Sequence, residues 1–591
     1  MKQFLTGNEA IARGAYEAGV TFASAYPGTP STEILENIAP FKENIYAEWA
    51  PNEKVALEVA IGASIAGART LAAMKHVGVN VAADPLFTYA YTGVNGGLIL
   101  VSADDPGMHS SQNEQDNRYY AKFSKVAMIE PSDSQEAKDF VKAALEISEE
   151  YDTPVLFRAT TRICHSKGLV EFGDRVEVGI KPYTKNIPKY VATPANGRVL
   201  HVKVEERLKQ LEAFSNETEL NKVEWNDKKV GIITSGVAYQ YAKEIFGDTA
   251  SYLKLGFTHP LPMKKIKAFA EQVETLYVIE ELEPYIEEQM KAAGIQCIGK
   301  DVIPRIGELN PDIISKAILG VERPVIEVSE ASVVGRPPTM CAGCPHRGFF
   351  YMLAKKKNVM ITGDIGCYTL GSAEPLSAMD TCICMGASIS AGHGAQKAFS
   401  FNGIDKKVVG VIGDSTFFHS GVTSLMDIVY NKGTAVTVIL DNRITGMTGH
   451  QENPGTGYTL QGEKTHAINI SLLCEAVGVK KKNIFIINPL ELDACKKAID
   501  DALNAAEPTV IITEWPCVLK KPTAEDIERF GSKKIICKVD AEKCKACKVC
   551  TKTGCPAISF DEKAKIDSTM CVGCDVCLQA CPFDAIVKAG E

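Results

Sequence analysis

Apolar, β-branched runs separated by glycine-rich turns and amphipathic stretches recur along the chain, the pattern of alternating strands and helices. The clearest unit spans residues 408–451. Val408, Val409, Val411 and Ile412 read as a buried strand that stops at Gly413-Asp414-Ser415. A helix is expected from about Phe418 to Tyr430, then a second buried strand over Ala435–Leu440 that ends at Asp441-Asn442. Two parallel strands joined by a helix have adjacent carboxyl ends, which puts Asp414 and Asn442 at one sheet edge.

The first third repeats this alternation. MKQFLTGNEAIARGAYEAG predicts an amphipathic helix preceded by turn residues, and VTFASAYPGTPSTEI a strand, a Gly/Pro turn and a capped helix. AEWAPNEKVALEVAIGASIAGARTLAAM predicts one long helix, with Ala60, Ala63, Ser64 and Gly67 allowing close packing. GLILVSADDP and DTPVLFRAT are further strands, so a doubly wound parallel sheet is expected. Residues 173–223 read as a polar connection with a Lys/Glu-rich helix, and a smaller α/β segment follows from VGIITSGVAYQYAKEIF. Its Glu280, Glu281 and Glu283 are expected in a solvated loop, and the prolines at 324, 337 and 338 mark a boundary over 323–339. The predicted domains are 1–190, 225–325, 335–525 and 535–591.

Composition narrows the function classes. A chain of 591 residues holds three or four domains. A net charge of −9 leaves no basic stripe for nucleic acid, and the runs Lys355–Lys357 and Lys480–Lys482 read as solvated ends or turns. No apolar run approaches the roughly 18 residues that span a bilayer, and the first residues lack a signal-peptide core. A cytoplasmic location is therefore expected, where nineteen cysteines stay reduced and available to metals.

Asp414, Asn442 and a nearby carbonyl form a hard-oxygen set suited to Mg²⁺ and a diphosphate. Cys341-x2-Cys344 alone fits a redox pair, half a zinc site or part of an iron–sulfur site. Cys367 and Cys517 each end an apolar strand, so the three thiol sites can converge on one sheet edge as a four-thiolate cage. Cys382 and Cys384 in the same region read as packing residues. The tail holds Cys544-x2-Cys547-x2-Cys550-x4-Cys555-Pro and Cys571-x2-Cys574-x2-Cys577-x3-Cys581-Pro. In the duplicated bacterial ferredoxin pattern the fourth Cys of each run serves the other run's cluster. That assigns Cys544, Cys547, Cys550 and Cys581 to one [4Fe–4S] cluster, and Cys571, Cys574, Cys577 and Cys555 to the second. The first run is one residue longer than usual, and Cys537 lies outside the pattern. Zinc and disulfides are the competing uses of these thiols.

The Gly-Asp pair, the βα unit and Asn a little under thirty residues later resemble the thiamine diphosphate motif, with Ser415 where Gly is usual. An ordinary Rossmann-like βαβ unit with polar strand ends carries the same features. Together YPGTPSTE, PNEKVALEVAIGASIAG, CAGCPHR, GDSTFFHSG, DNRITGMTGHQ and the tail resemble the 2-oxoacid:ferredoxin oxidoreductase family, specifically the large (alpha) subunits of its indolepyruvate type. The resemblance implies two thiamine-type doubly wound α/β domains (pyrimidine-binding and diphosphate-binding), a transketolase C-terminal-like α/β domain between them, and a two-cluster ferredoxin-like α+β domain.

It also implies roles. Glu53, with Gly62 nine residues on, activates thiamine, with Glu58 as its rival and Glu48 a weaker one; a favourable helix-dipole charge is the plain alternative. Thr29 approaches substrate. Gly413, Asp414, Ser415, Asn442, the carbonyl of Ile444 and Met447 surround the cofactor, with Asp414, Asn442 and Ile444 on Mg²⁺. Cys341, Cys344, Cys367 and Cys517 hold the cluster nearest the thiamine. The implied reaction is oxidative decarboxylation of arylpyruvates with CoA, with electrons leaving through three [4Fe–4S] clusters to ferredoxin. A separate smaller beta subunit and an (αβ)₂ assembly are implied as well.

Two departures bear on substrate. The loop ADDPGMHSSQNEQDNR lacks the Arg that holds pyruvate's carboxylate in relatives, leaving Arg118 or His109 as replacements, and Met447 stands where pyruvate enzymes carry Asn. The competing classes are a non-oxidative thiamine decarboxylase or ligase that carries a ferredoxin, and an electron-transfer subunit with inactive thiamine-like domains.

Overall fold

The predicted alternation becomes two separate parallel sheets in the computed structural model, which describes residues 1–324, 326, 328–329, 333–531 and 535–590. Parts of the boundary over 323–339 and the predicted domain ends at 325 and 591 lie outside the described residues. The chain divides into two compact units, Met1–Glu327 and Val328–Glu591.

In the first unit, β1 (Lys2–Thr6) precedes β2 (Phe22–Ala25), β3 (Tyr46–Trp49), β4 (Thr70–Lys75), β5 (Leu98–Asp104), β6 (Ala127–Ile129), β7 (Val155–Thr160) and β8 (Lys167–Glu171). The smaller α/β segment adds β9 (Asn221–Glu224), β10 (Val230–Ser235), β11 (Ser251–Leu255), β12 (Phe257–His259) and β13 (Thr275–Ile279). The main sheet has the order β12-β6-β7-β5-β4-β2-β3, parallel except for β12, which runs antiparallel along β6. The strands β13-β10-β11-β9 form a second sheet, and β1 pairs with β8. The polar connection contains the expected helix, Pro194–Glu217.

Two local predictions are corrected. Lys2–Thr6 is a strand, with Lys2 opposite Glu171, and the helix starts only at Gly7 under a Thr6–Glu9 capping box. The stretch predicted as one long helix is strand, helix and strand. Asn52 caps the helix Glu53–Ile65, and Gly67, at φ +102°, stands between its end and β4. Every residue of β4 is buried, so its small apolar residues carry no period-2 alternation.

The second unit is built on β14 (Val359–Gly363), β15 (Thr381–Cys382), β16 (Lys407–Gly413), β17 (Val436–Asp441), β18 (Ile484–Ile487) and β19 (Thr509–Glu514). They form one parallel sheet in the order β15-β14-β16-β17-β19-β18. The helix after β16 begins at Asp414, earlier than predicted, and passes through a π turn, Phe417–Gly421, before Val422–Tyr430. The tail adds two short antiparallel pairs, β20 (Cys537–Val539) with β23 (Ile586–Lys588), and β21 (Ile558–Phe560) with β22 (Ala564–Ile566). It is tied to the sheet domain: Arg347 Nη1 donates to the Thr553 carbonyl at 2.9 Å, and Gln579 accepts from the Leu492 amide at 2.9 Å. Among the described residues no helix is long and apolar enough to cross a membrane.

Candidate functional site

In a parallel sheet, ligands gather outside the carboxyl ends of the strands. At that edge of the first unit, Glu53 opens its helix and is 5% exposed. A methyl group added to Gly78 would sit 2.7 Å from Glu53 Cγ and 2.8 Å from Oε1, so Gly78 is what lets the carboxylate lie where it does. Gly62, the glycine that marked Glu53 in the sequence, has open space around it. Glu58 is exposed beside Lys54, and Glu48 accepts a hydrogen bond from Tyr46 at 3.0 Å. Thr29 lies in the turn after β2, and its carbonyl is 3.2 Å from Ser110 Oγ.

Both proposed replacements for the missing arginine are engaged by carboxylates. Arg118 is 1% exposed and is saturated by Asp116, Glu280 (2.6 Å each) and the carbonyls of Glu281 and Glu283. His109 and Arg162 both engage Glu308. Glu280 and Glu281, expected in a solvated loop, are buried: Glu280 also accepts the amides of Ile286 and Glu287, and Glu281 that of Leu309 at 3.1 Å. Burial pushes the Glu281 carboxyl up to about 7. The acidic cluster reads as solvated in sequence because its arginine partners lie about 120 to 170 residues away along the chain (Glu281 − Arg158, Glu283 − Arg118).

In the second unit, β16 and β17 pair with Gly413 opposite Leu440, which sets Asp414 and Asn442 on one edge. Asp414 is buried; loss of water first, and the Asp441 charge second, push its carboxyl up. Its Oδ2 accepts from Asn453 Nδ2 at 3.0 Å, a partner that no spacing rule pointed to. Thr445 Oγ1 donates to Ser415 Oγ at 2.9 Å, and the Ile444 amide reaches Asn442 Oδ1 at 3.3 Å. A methyl group at Gly413 would strike the Tyr368 ring at 2.6 Å, so the turn requires glycine for room. Asp364, also missed in sequence, accepts the amides of Gly386 and Ser388 at 3.0 Å each and so fixes the start of the helix Ala387–Phe401; burial raises it to about 6. Met447 is exposed.

The strand-end thiols meet this edge. The Cys517 amide donates to the Asn442 carbonyl at 2.9 Å, and its Sγ lies 3.7 Å from His450 Nε2. A methyl group at Gly446 would be 3.5 Å from Asn442 Nδ2 and 3.7 Å from Cys367 Sγ, so one loop touches both. Burial pushes the Cys344 thiol up to about 12 and Cys367 to about 11; Cys517 and Cys341 push in the same direction. Cys382 and Cys384 are exposed, which corrects their reading as packing residues.

In the tail, one cavity is lined by Cys544, Cys547, Cys550 and Cys581, and another by Cys555, Cys571, Cys574 and Cys577. Cys537, left without a role in sequence, lines the second cavity, and its amide lies 3.4 Å from Cys571 Sγ. Ala342 and Gly343, from the first CxxC, line it too. All nineteen cysteines are unpaired. Among the described residues, no three Cys, His, Asp or Glu side chains close on a point as a single metal ion requires. Each tail cavity is lined by at least four thiols, the number that a [4Fe–4S] cluster takes.

Three family models match parts of the chain. Residues 13–209 match the model for the pyruvate flavodoxin/ferredoxin oxidoreductase thiamine diphosphate-binding domain. Residues 364–513 match the C-terminal binding domain of thiamine pyrophosphate enzymes, and 564–587 a 4Fe-4S binding domain. Fold and site thus define a thiamine diphosphate-dependent oxidoreductase that carries iron–sulfur clusters and acts in 2-oxoacid:ferredoxin chemistry. The indolepyruvate oxidoreductase subunit IorA of Archaeoglobus fulgidus is 41% identical over all of this chain and 98% of its own. Those of Pyrococcus horikoshii and Methanothermobacter thermautotrophicus are each 40% identical over all of this chain, and over 97% and 98% of their own. The chain belongs to the indolepyruvate oxidoreductase IorA family, as a large (alpha) subunit.

Proposed function

We propose that the chain catalyses oxidative decarboxylation of arylpyruvates, indolepyruvate among them, to arylacetyl-CoA. The balance is R–CO–COO⁻ + CoA–SH → R–CO–S–CoA + CO₂ + H⁺ + 2 e⁻, with the electrons taken singly by ferredoxin. The observation that carries it is the gathering of thiols beside Asp414 and Asn442. Cys367 and Asn442 face one loop and Cys517 is bonded to the Asn442 backbone, an arrangement that non-oxidative decarboxylation does not need.

Thiamine diphosphate, when bound, supplies the carbon centre that accepts the 2-oxo group. Glu53 holds or moves a proton at the aminopyrimidine, and Thr29 faces the substrate. Asp414, the Asn442 side chain and the Ile444 carbonyl would hold Mg²⁺; an uncompensated buried carboxylate supports that assignment. Gly413, Ser415 and Met447 complete the cofactor's surroundings. Cys341, Cys344, Cys367 and Cys517 would hold the cluster nearest the cofactor. The two tail cavities support the crosswise ligand sets, Cys544, Cys547, Cys550 with Cys581, and Cys571, Cys574, Cys577 with Cys555. The names of the relatives support indolepyruvate as a substrate and a partner subunit; the proposal takes that partner to be a smaller beta subunit in an (αβ)₂ assembly in the cytoplasm.

The test is viologen or ferredoxin reduction by the co-expressed subunits with CoA and a panel of 2-oxo acids. Arylpyruvates should give the highest kcat/KM; preference for pyruvate or 2-oxoglutarate sinks the substrate assignment. Iron should reach about twelve atoms per chain, four per cluster, and a value near eight in intact protein removes the cluster beside Asn442.

A further inference from the structure

The first unit gathers several cations at the carboxyl edge of its main sheet, and most are matched by carboxylates. Arg118 meets Asp116 and Glu280, Arg158 meets Asp104 and Glu130, and Arg162 and His109 meet Glu308. One exception among the described residues is Lys75, the last residue of β4. It is 9% exposed and has no carboxylate within ion-pair distance. Its amine donates to the Ser110 carbonyl and lies 3.3 Å from Ser110 Oγ, both neutral. The nearest acid, Asp105, is engaged by the Ser110 amide at 2.8 Å and by the hydroxyls of Ser111 and Thr161 at 2.6 Å each.

Lys75 also borders the residues already assigned to substrate and cofactor. A methyl group at Gly28 would touch Lys75 Cβ at 3.2 Å, so its side chain leaves the strand against the Gly28–Thr29 turn. Ser110, which receives the amine, also reaches the Thr29 carbonyl. The next residue, His76, is fully buried with Nδ1 unpartnered, and Gly78 of the same short helix lies against Glu53. A buried ammonium without a counter-charge is costly, and one held by neutral oxygens is ready for an anion. Burial holds the amine down, at about 8, against the opposing charge of Asp105.

We propose that Lys75 binds the carboxylate of the 2-oxo acid beside Thr29. This rests on the proposed function, because it takes the substrate to be a 2-oxo acid. An ammonium is a compact point charge without the planar fork of a guanidinium, so it fixes the carboxylate's position while leaving its rotation free.

The holoenzyme, co-expressed with its partner subunit, tests this with two inhibitors. Phenyllactate keeps the carboxylate but has no keto group to lose it from; phenylacetone keeps the ketone and lacks the carboxylate. In Lys75→Met, the KM for phenylpyruvate and the Ki for phenyllactate should rise by about ten- to a hundredfold, the loss of one charged hydrogen bond. The Ki for phenylacetone should stay the same, kcat should fall less than KM rises, and Lys75→Arg should recover part of the affinity for phenyllactate. An unchanged Ki for phenyllactate, or equal weakening of both inhibitors, overturns the proposal. Iron content and circular dichroism report on folding. If Lys75→Met fails them, Lys75→Gln, which also removes the charge, faces the same criterion. If the wild type ignores arylpyruvates, the substrate assignment falls separately, and Lys75 is tested with the favoured 2-oxo acid and its 2-hydroxy analogue.

Discussion

At the carboxyl edge of the first sheet, Arg118 and Arg158 are buried among Asp104, Asp116, Glu130 and Glu280, each cation facing at least two carboxylates. At the same edge of the second sheet, Asp414 is buried with an amide donor and in the field of another acid, Asp441, and thiols raised by burial stand nearby. Both edges remove charge from water, which is expensive in either place. The first offsets that cost within its own chain. The second holds its carboxyl and thiols toward their protonated forms, which suits a site where a divalent cation and a metal cluster would displace those protons. Like topology therefore serves two purposes, a cemented joint and an open socket.

Breaking one ion pair in the joint should have the largest effect. Arg118→Met leaves Asp116 and Glu280 buried without their cation, and should cost about 3–5 kcal/mol in the denaturant transition of the first unit. A loss below about 1 kcal/mol would mean that these pairs do not hold this edge together. Asp414→Asn should act in the opposite direction. Without cofactor it should stabilise the protein by about 1–3 kcal/mol, because the cost of keeping an ionisable carboxyl out of water beside Asp441 is removed. It should also weaken Mg²⁺-dependent binding of thiamine diphosphate by at least about tenfold. If Asp414→Asn destabilises the cofactor-free protein as Arg118→Met does, the contrast between the two edges fails.

The smallest effect separates residues within the joint. Glu281 is raised by burial to about 7 when folded, well above its unfolded value, so the folded state binds the extra proton. Its contribution therefore makes stability fall as pH rises from the ordinary glutamate range to about 7, and level off above that. Unfolding free energy measured from pH 5 to 8 should lose that component of its slope in Glu281→Gln. An identical slope in the variant assigns the pH dependence to other groups.

How much of this was legible in the sequence follows the range of each interaction. Strands such as 408–413 and 436–441 are continuous β-branched runs bounded by turn residues, so their type and order could be read directly. The cysteine runs are equally local, and the cavities gather the same tail thiols that the spacing grouped. Strand β4 was hidden because Ala72, Ala73 and Met74 favour helices as much as buried strands. The fit of Gly78 to Glu53, of Asn453 to Asp414 and of Cys537 to the second tail cavity depends on contacts between distant segments. No period or spacing encodes these. Arg118 was misjudged for the same reason: its loop is polar, but Glu280, 162 residues on, closes over it.

Strand β12 carries a consequence for how the protein is made. It covers the β6 edge of the first sheet, yet it lies about a hundred residues beyond β7. At translation rates of about 5–20 residues per second, the emerging sheet waits roughly 5–20 seconds with that edge bare. An unprotected edge strand invites pairing with another chain. A fragment ending near residue 190 would keep that exposure permanently, and would also lack the glutamate that neutralises Arg118. The nascent chain should therefore be most prone to aggregate between completion of β7 and arrival of Phe257–His259, the interval in which a chaperone would matter most.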